Sequence, residues 1–242
     1  SSHGIGPDFS QSGQNGPSIF PSTSLALRLA WSPRDSMILR YALLDGVPGD
    51  PADANAFVDA KFRDGEGLLH ALELENTFDS GVRAAIGVWK YSAEFEKINE
   101  FFGGESTFES TTGSGNQGVF AFVDAPVYQS DDGIWLNAFG RYGIANERYN
   151  QFSSYLGFGA VIGGFFKSRP EDTIGLAFAT AFNSSDYKAL NNNLVNDKEV
   201  VIELTYSAQL NDYLHIQPDI QYIINPGTDP GLKNALVVGV RF

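Results

Sequence analysis

The chain has 242 residues, with 26 Gly, 19 Phe and 10 Tyr against 1 Met and no Cys, and a formal charge of −13. No apolar run reaches the ~18–20 residues of a membrane-crossing helix. The missing thiols exclude disulfide scaffolds, thiolate zinc sites and cysteine nucleophiles, and the acidity disfavours nucleic acid as a partner. What remains is a soluble all-β protein or a membrane β-barrel, since Gly and aromatics favour strands and turns over helices.

The first 21 residues have no basic start and no apolar stretch, so they do not read as a secretory signal. They are rich in Gly, Ser, Pro, Gln and Asn, and read as loop. From there on, turn signals and period-2 alternation predict eleven strands. They cover residues 24–32, 36–44, 68–78, 82–92, 117–128, 134–145, 152–163, 173–183, 199–210, 213–224 and 234–242. Most have the ~9–12 residues that a tilted strand needs to cross a bilayer.

In the first strand, Leu25, Leu27, Leu29 and Trp31 oppose Arg28. In residues 199–210, Val200, Ile202, Leu204, Tyr206, Ala208 and Leu210 share one face, and Glu199, Val201, Glu203, Thr205, Ser207 and Gln209 lie on the other. In residues 213–224, Leu214, Ile216, Ile220, Tyr222 and Ile224 oppose His215, Gln217, Asp219 and Gln221. An apolar face over membrane length, backed by charge, fits lipid outside and water inside. A soluble sandwich gives the same alternation with the sides reversed.

Connection lengths separate the two. Residues 33–35, 79–81, 130–133, 167–172 and 211–212 are short turns. Residues 45–67, 93–116, 184–198 and 225–233 are long and polar, with 146–151 the short exception among them. Short turns on one side and long loops on the other are the habit of outer-membrane barrels. The fold class expected is therefore all-β, an antiparallel transmembrane barrel. Residues 1–23 are expected as an extracellular or lumenal loop, and residues 24–242 as one barrel domain. Single-chain bacterial barrels have even strand numbers, so an odd count reads as the C-terminal part of a longer barrel. The last strand ends on Phe242, as last strands of bacterial barrels commonly do.

The run Glu203-Leu204-Thr205-Tyr206, followed by residues 214–227 (LHIQPDIQYIINPG) and 235–241 (ALVVGVR), resembles the C-terminal signature of the OprB-type carbohydrate-selective porins. Residues 169–177 (RPEDTIGLA) look like that family's turn between two late strands, and Pro17-Ser18-Ile19-Phe20-Pro21 followed by residues 25–28 is similar to a mid-chain segment of it. The resemblance implies a bacterial outer-membrane barrel of about sixteen strands in longer members. It implies a passive channel for small sugars and not an enzyme, with no cofactor. Sugars would be the permeating solutes, outer-membrane lipid the surroundings, and a missing N-terminal barrel segment and a homo-oligomer possible partners. The alternatives are a general diffusion pore and a β-barrel glycan hydrolase.

A pore works through its lumen. The polar face of each strand gives the candidate lining: Arg28, Arg40, Glu73, Glu75, Arg83, Trp89, Asn137, Arg141, Glu203, His215, Gln217, Asp219 and Gln221. Trp135 and Phe139 share the parity of Asn137 and Arg141. Hydroxyl-binding polar groups with aromatics for apolar sugar faces are the functional reading. A wetted barrel wall, or aromatics packed against an inward loop, is the plain one. Glu73 and Glu75 lie ~6.5–7 Å apart along one strand, which touches an inverting glycosidase's separation, but such pairs flank a cleft. Asp50, Asp53, Asn55 and Asp59 form a weak calcium candidate in one loop, with oxygen ligands but no helix-loop-helix spacing. Three scattered histidines do not suggest zinc. Gly157-Phe158-Gly159 precedes no helix and reads as a bend in a strand. Residues 93–102 have helical spacing of aromatics, and Pro218 predicts a bulge.

Overall fold

A computed structural model describes residues 24–48, 65–98, 112–192, 194–211 and 213–242. The strands are β1 (Ala26–Arg34), β2 (Met37–Asp45), β3 (Leu68–Thr77), β4 (Arg83–Tyr91), β5 (Gln117–Gln129), β6 (Trp135–Ala145), β7 (Phe152–Gly163), β8 (Thr173–Asn183), β9 (Lys198–Asn211), β10 (Leu214–Ile224) and β11 (Ala235–Arg241). All eleven expected strands are present, and no end moves by more than two residues. They form one sheet in the order β1 to β11, each antiparallel to the next. The barrel does not close: β1 pairs only with β2 and β11 only with β10 among the described residues.

The two faces of this sheet are chemically distinct. Glu203 is 2% exposed and its neighbour Leu204 50%; Trp89 is 3% exposed and Val88 46%. A curled sheet crowds side chains on its concave side, so the buried parity marks the inner face. The outer face is the apolar one, carrying Leu72, Ile86, Phe158, Leu176, Leu204, Ile220, Leu236 and Val238, all exposed. Leu27 stands opposite Leu43, and Leu43 opposite His70, on the same outer parity.

Short turns lie at one end of the sheet. The turn after β7 is clasped by its own acid: Arg169 Nε donates to Asp172 Oδ2 at 2.5 Å, and the backbone N–H of Gln209 on β9 donates to Asp172 Oδ1 at 3.3 Å. The Tyr206 hydroxyl donates to the same carboxylate. Asp172 is 1% exposed. At the long-loop end, a helix α1 (Ser185–Leu190) occupies a stretch expected as loop, its first turn capped by Ser184 Oγ accepting from Tyr187 N at 3.2 Å. Asn183 Nδ2 donates to Thr228 Oγ1 at 2.8 Å and ties two long loops together.

One expectation is corrected. Pro218 produces no bulge: Gln217, Pro218 and Asp219 pair with Arg241, Val240 and Gly239 in unbroken register. On the other side the Thr205 hydroxyl donates to the Pro218 carbonyl at 3.3 Å, so the ladder takes in the proline without a slip. The irregularity in β10 sits at Leu214/His215 instead. Of the stretch 93–102, residues 93–97 are not helical and Phe95 pairs with Gly113 in an antiparallel bridge, which brings the feet of this connection together, while Ile98 is helical. Residues 99–111 are outside the described set, as is the acidic loop with Asp50, Asp53, Asn55 and Asp59.

Two outcomes follow from this arrangement. Leu204 is midway along β9 on the outer face, so Leu204→Arg is expected to lower folding stability in lipid by ~2–4 kcal/mol, and Leu210→Arg at the strand's end by ~0–1 kcal/mol. Equilibrium unfolding in vesicles checks the difference. For Asp172, the hydrogen bond from Arg169 holds the carboxyl below its ordinary value; burial opposes this, and Tyr206 and Gln209 add to it. A depressed folded value means the clasp contributes above the unfolded pKa and is lost as pH falls through the folded one. Asp172→Asn is therefore expected to melt earlier than the parent at pH 7, with the gap closing below about pH 4, read from heat-dependent gel migration.

Candidate functional site: the inner face

The cross-strand register fixes which residues meet on the inner face. Arg40 stands opposite Glu73, and Glu75 opposite Ala85. Thr77, Arg83, Asp124 and Phe139 form one row across four strands. Directly opposed side chains lie on the same side of a sheet, so one strand's parity carries the whole row inward.

The first cluster is an ion-pair chain over β2 to β5. Arg40 Nη1 donates to Glu73 Oε1 at 2.7 Å and to Glu75 Oε2 at 2.8 Å. Arg83 Nη1 lies 4.0 Å from Glu75 Oε2, and Arg83 Nη2 donates to Asp124 Oδ2 at 2.5 Å. Signs alternate along the chain: Glu73, Arg40, Glu75, Arg83, Asp124. Both glutamates share one guanidinium, so they form a triad with a single excess negative charge on one wall and do not face each other across a cleft.

The second cluster lies on β9 to β11. Gln221 Nε2 donates to Glu203 Oε2 at 2.7 Å, and Gln217 Nε2 to Thr205 Oγ1 at 2.9 Å. Arg241 is 4.0 Å from Asp219. Glu203 and Asp219 are both buried. Asp219 lies against Gly239, where any side chain would meet its carboxylate.

The other candidates are spread out. Arg28 stands opposite Ala42, Ala42 opposite Ala71, and Ala71 opposite Trp89, which puts Arg28 on the inner face of the first strand. Arg141 is exposed and its guanidinium carbon lies 5.7 Å from the Phe139 ring centre. Asn137 is exposed in the row of Pro126 and Val161. His215 is exposed near the short-turn end of β10, opposite Gln209. Trp89 does point inward, but it is covered. Its ring meets Tyr91 edge-on at 6.0 Å, and Tyr91 meets Phe95 at 5.0 Å. With Leu69, Phe120 and Tyr149 these rings form a buried cluster. Of the two readings of the inward Trp89, its burial in this cluster favours the packed ring over one open to a solute.

A groove of about 610 Å³ opens on the inner face near the short turns. Arg83, Asp124, Trp135, Asn137 and Phe139 line it. Three of the rings on this face lie flat across glycines of the next strand: Phe139 over Gly159, Trp135 over Gly163 and Phe120 over Gly87. Sequence reasoning missed Asp124, which continues the period of Phe120 and Phe122 inward and meets Arg83 once the register is set. Among the described residues, no group of three or more His, Asp or Glu could hold a metal ion.

Comparison with known proteins agrees with this geometry. The chain is 30% identical over 139 residues to Porin B of Pseudomonas aeruginosa, an alignment that takes in 51% of this chain and 31% of that protein. The high-pH structure of Pseudomonas putida OprB superposes with a TM-score of 0.76 at 19% identity, over 89% of this chain and 57% of the other. The outer-membrane channel DcaP of Acinetobacter baumannii gives 0.53 at 13% identity, over 82% of this chain and 55% of that one. The chain thus spans about a third of the curated relative and little more than half of the solved ones. The family model described as carbohydrate-selective porin matches residues 1–242, and with its whole length so matched the chain belongs to the OprB family.

Proposed function

We propose that the inner face lines a water-filled channel through which neutral sugars diffuse passively. Family membership places the chain in the bacterial outer membrane and implies a channel, not an enzyme. The observation that carries the sugar reading is the 610 Å³ groove. It puts two aromatic rings, Trp135 and Phe139, beside a guanidinium, a carboxylate and an amide, those of Arg83, Asp124 and Asn137. A sugar presents hydroxyls that both donate and accept, and a C–H face that packs on a ring. The groove supplies each counterpart within one site.

Ion selection is disfavoured by the same residues. A cation or anion filter needs a ring of one sign. Here the inner-face charges on β2 to β5 alternate in sign, from Glu73 through Arg40, Glu75 and Arg83 to Asp124, so that three acids against two bases leave a single net negative charge. Alternating signs leave a weak net field for a passing ion, and still offer many donors and acceptors to a neutral solute. The Glu203, Gln217, Asp219 and Gln221 cluster on β9 and β10 and the exposed Arg28 and Arg141 extend this polar lining.

Planar-bilayer recording with the full-length porin tests the proposal. Monosaccharides are expected to reduce ion current, and Trp135→Ala with Asn137→Ala to weaken that block severalfold while open-pore conductance stays near the parent value. If size-matched neutral non-sugars permeate as fast as sugars in liposome swelling, and no sugar blocks current, a general diffusion pore replaces the sugar channel. Arg40→Ala removes the partner of two carboxylates, so the pore is expected to turn cation-preferring, seen as a shifted reversal potential in a salt gradient. The same variant leaves Glu75 buried with Arg83 alone at 4.0 Å, and a stability loss of up to ~3–5 kcal/mol is expected in unfolding experiments.

A further inference from the structure

The outer face carries a second groove, of about 600 Å³, across β2 to β6 near the long-loop end. It opens on the side that meets lipid, away from the channel. Its upper rim is polar. His70, Lys90 and Gln117 are directly opposed on three neighbouring strands. The Tyr41 hydroxyl reaches up to His70 Nδ1, 2.7 Å away, and the two are hydrogen bonded. Its floor is apolar: Leu72, Val88 and Val119 form the next outward row, one side-chain step deeper in the bilayer.

The charges are one-sided. Lys90 is exposed, and among the described residues it has no ion-pair partner and no carboxylate lines the groove. This is unlike the inner face, where Arg40 and Arg83 are each paired with acids. An unpaired lysine facing hydrocarbon is costly at the midplane and cheap near the interface. Lys90 is the next-to-last residue of β4 at the loop end, so it sits at headgroup depth. A basic pocket at that depth, above an apolar trough, has the polarity of an anionic lipid turned to match it.

We propose that this groove binds a phosphorylated glycolipid of the outer leaflet, its phosphate on Lys90 with hydrogen bonds from Tyr41, His70 or Gln117, and an acyl chain along Leu72, Val88 and Val119. The site is independent of solute passage, because its side chains lie on the opposite face of the sheet from the channel lining.

Native mass spectrometry of the full-length porin, delipidated in detergent, tests the assignment with bisphosphorylated lipid A and with the same lipid stripped of both phosphates. The parent protein is expected to retain the phosphorylated lipid, and to bind the stripped one about tenfold more weakly. Lys90→Glu is expected to bring the phosphorylated lipid down to that level. Val119→Trp, which fills the trough without touching the charge, is expected to weaken both lipids. Gel migration before and after heating confirms that each variant is folded. Equal binding of the two lipids by the parent overturns the proposal, as does undiminished binding by folded Lys90→Glu. A Lys90→Glu variant that keeps its lipid but loses oligomer mass also overturns it, since the groove would then be a contact between copies of the chain. Sugar block measured on Lys90→Glu is expected to match the parent, so failure of the lipid site and failure of the sugar channel are read separately.

Discussion

In hydrocarbon no water is available to a backbone N–H or C=O, and each unpaired group costs several kcal/mol. Everything else in this sheet depends on meeting that constraint. From β2 to β10 every strand has an antiparallel neighbour on both sides, so the main chain is satisfied by the ladder and the side chains are left to handle two solvents. Because the side-chain period is two, a slip of one residue would exchange the faces of a whole strand. The contrast between Glu203 and Leu204, adjacent in β9 and nearly opposite in exposure, shows how tightly register is held. The open edges of β1 and β11 fall under the same constraint: in a bilayer they must meet each other or further strands.

Curvature creates the second problem, on the inner side. Side chains that point to the concave face converge, and this face also carries large rings. The crowding is relieved by laying each ring flat over a glycine of the neighbouring strand, as with Phe139 and Gly159 or Trp135 and Gly163. Aromatic packing over strand glycines covers backbone that would otherwise be bare. It also leaves room beside the ring, and in the groove near the short turns Arg83, Asp124 and Asn137 use that room. The glycines that read in sequence as weak points or bends in strands are thus what lets an aromatic and a charged lining coexist.

The strand set was legible because each strand has to satisfy lipid on one side and water on the other, which writes alternation into the sequence. Side-chain direction at Arg28, Arg83 and Asp219 follows from that alone. What lay beyond reach were features set by partners distant in sequence. Trp89 has the inward parity of a lining residue, yet it is buried in a cluster with Tyr91, Phe95, Phe120 and Tyr149, and nothing in β4 announces this. Asp124 becomes significant only when pairing of β4 with β5 places it opposite Arg83. Pro218 lacks a donor, which suggests a bulge, but Thr205 on β9 approaches its carbonyl and the register runs on. The α1 helix depends on a Ser184 cap and on loops tied at Thr228, and its six residues are too few to give a periodic signal.

The two walls treat charge in opposite ways, and the reason is dielectric. Inside, water keeps the effective dielectric high, so fixed ion pairs such as Arg83–Asp124 give up little hydration and leave their spare donors and acceptors usable by a solute. A hydroxyl-rich solute passing such a wall exchanges water hydrogen bonds for equivalent ones, and with no net gain in charge it is not trapped. That balance suits diffusion, where binding must be strong enough to favour entry and weak enough to allow exit. Outside, a cation at headgroup depth has less water to rely on, and among the described residues no acid is paired with Lys90. Its counter-charge has to come from the membrane itself. The absence of pairing that would be a defect on the inner face becomes, at the headgroup level of the outer face, a point of attachment between the barrel and its lipid.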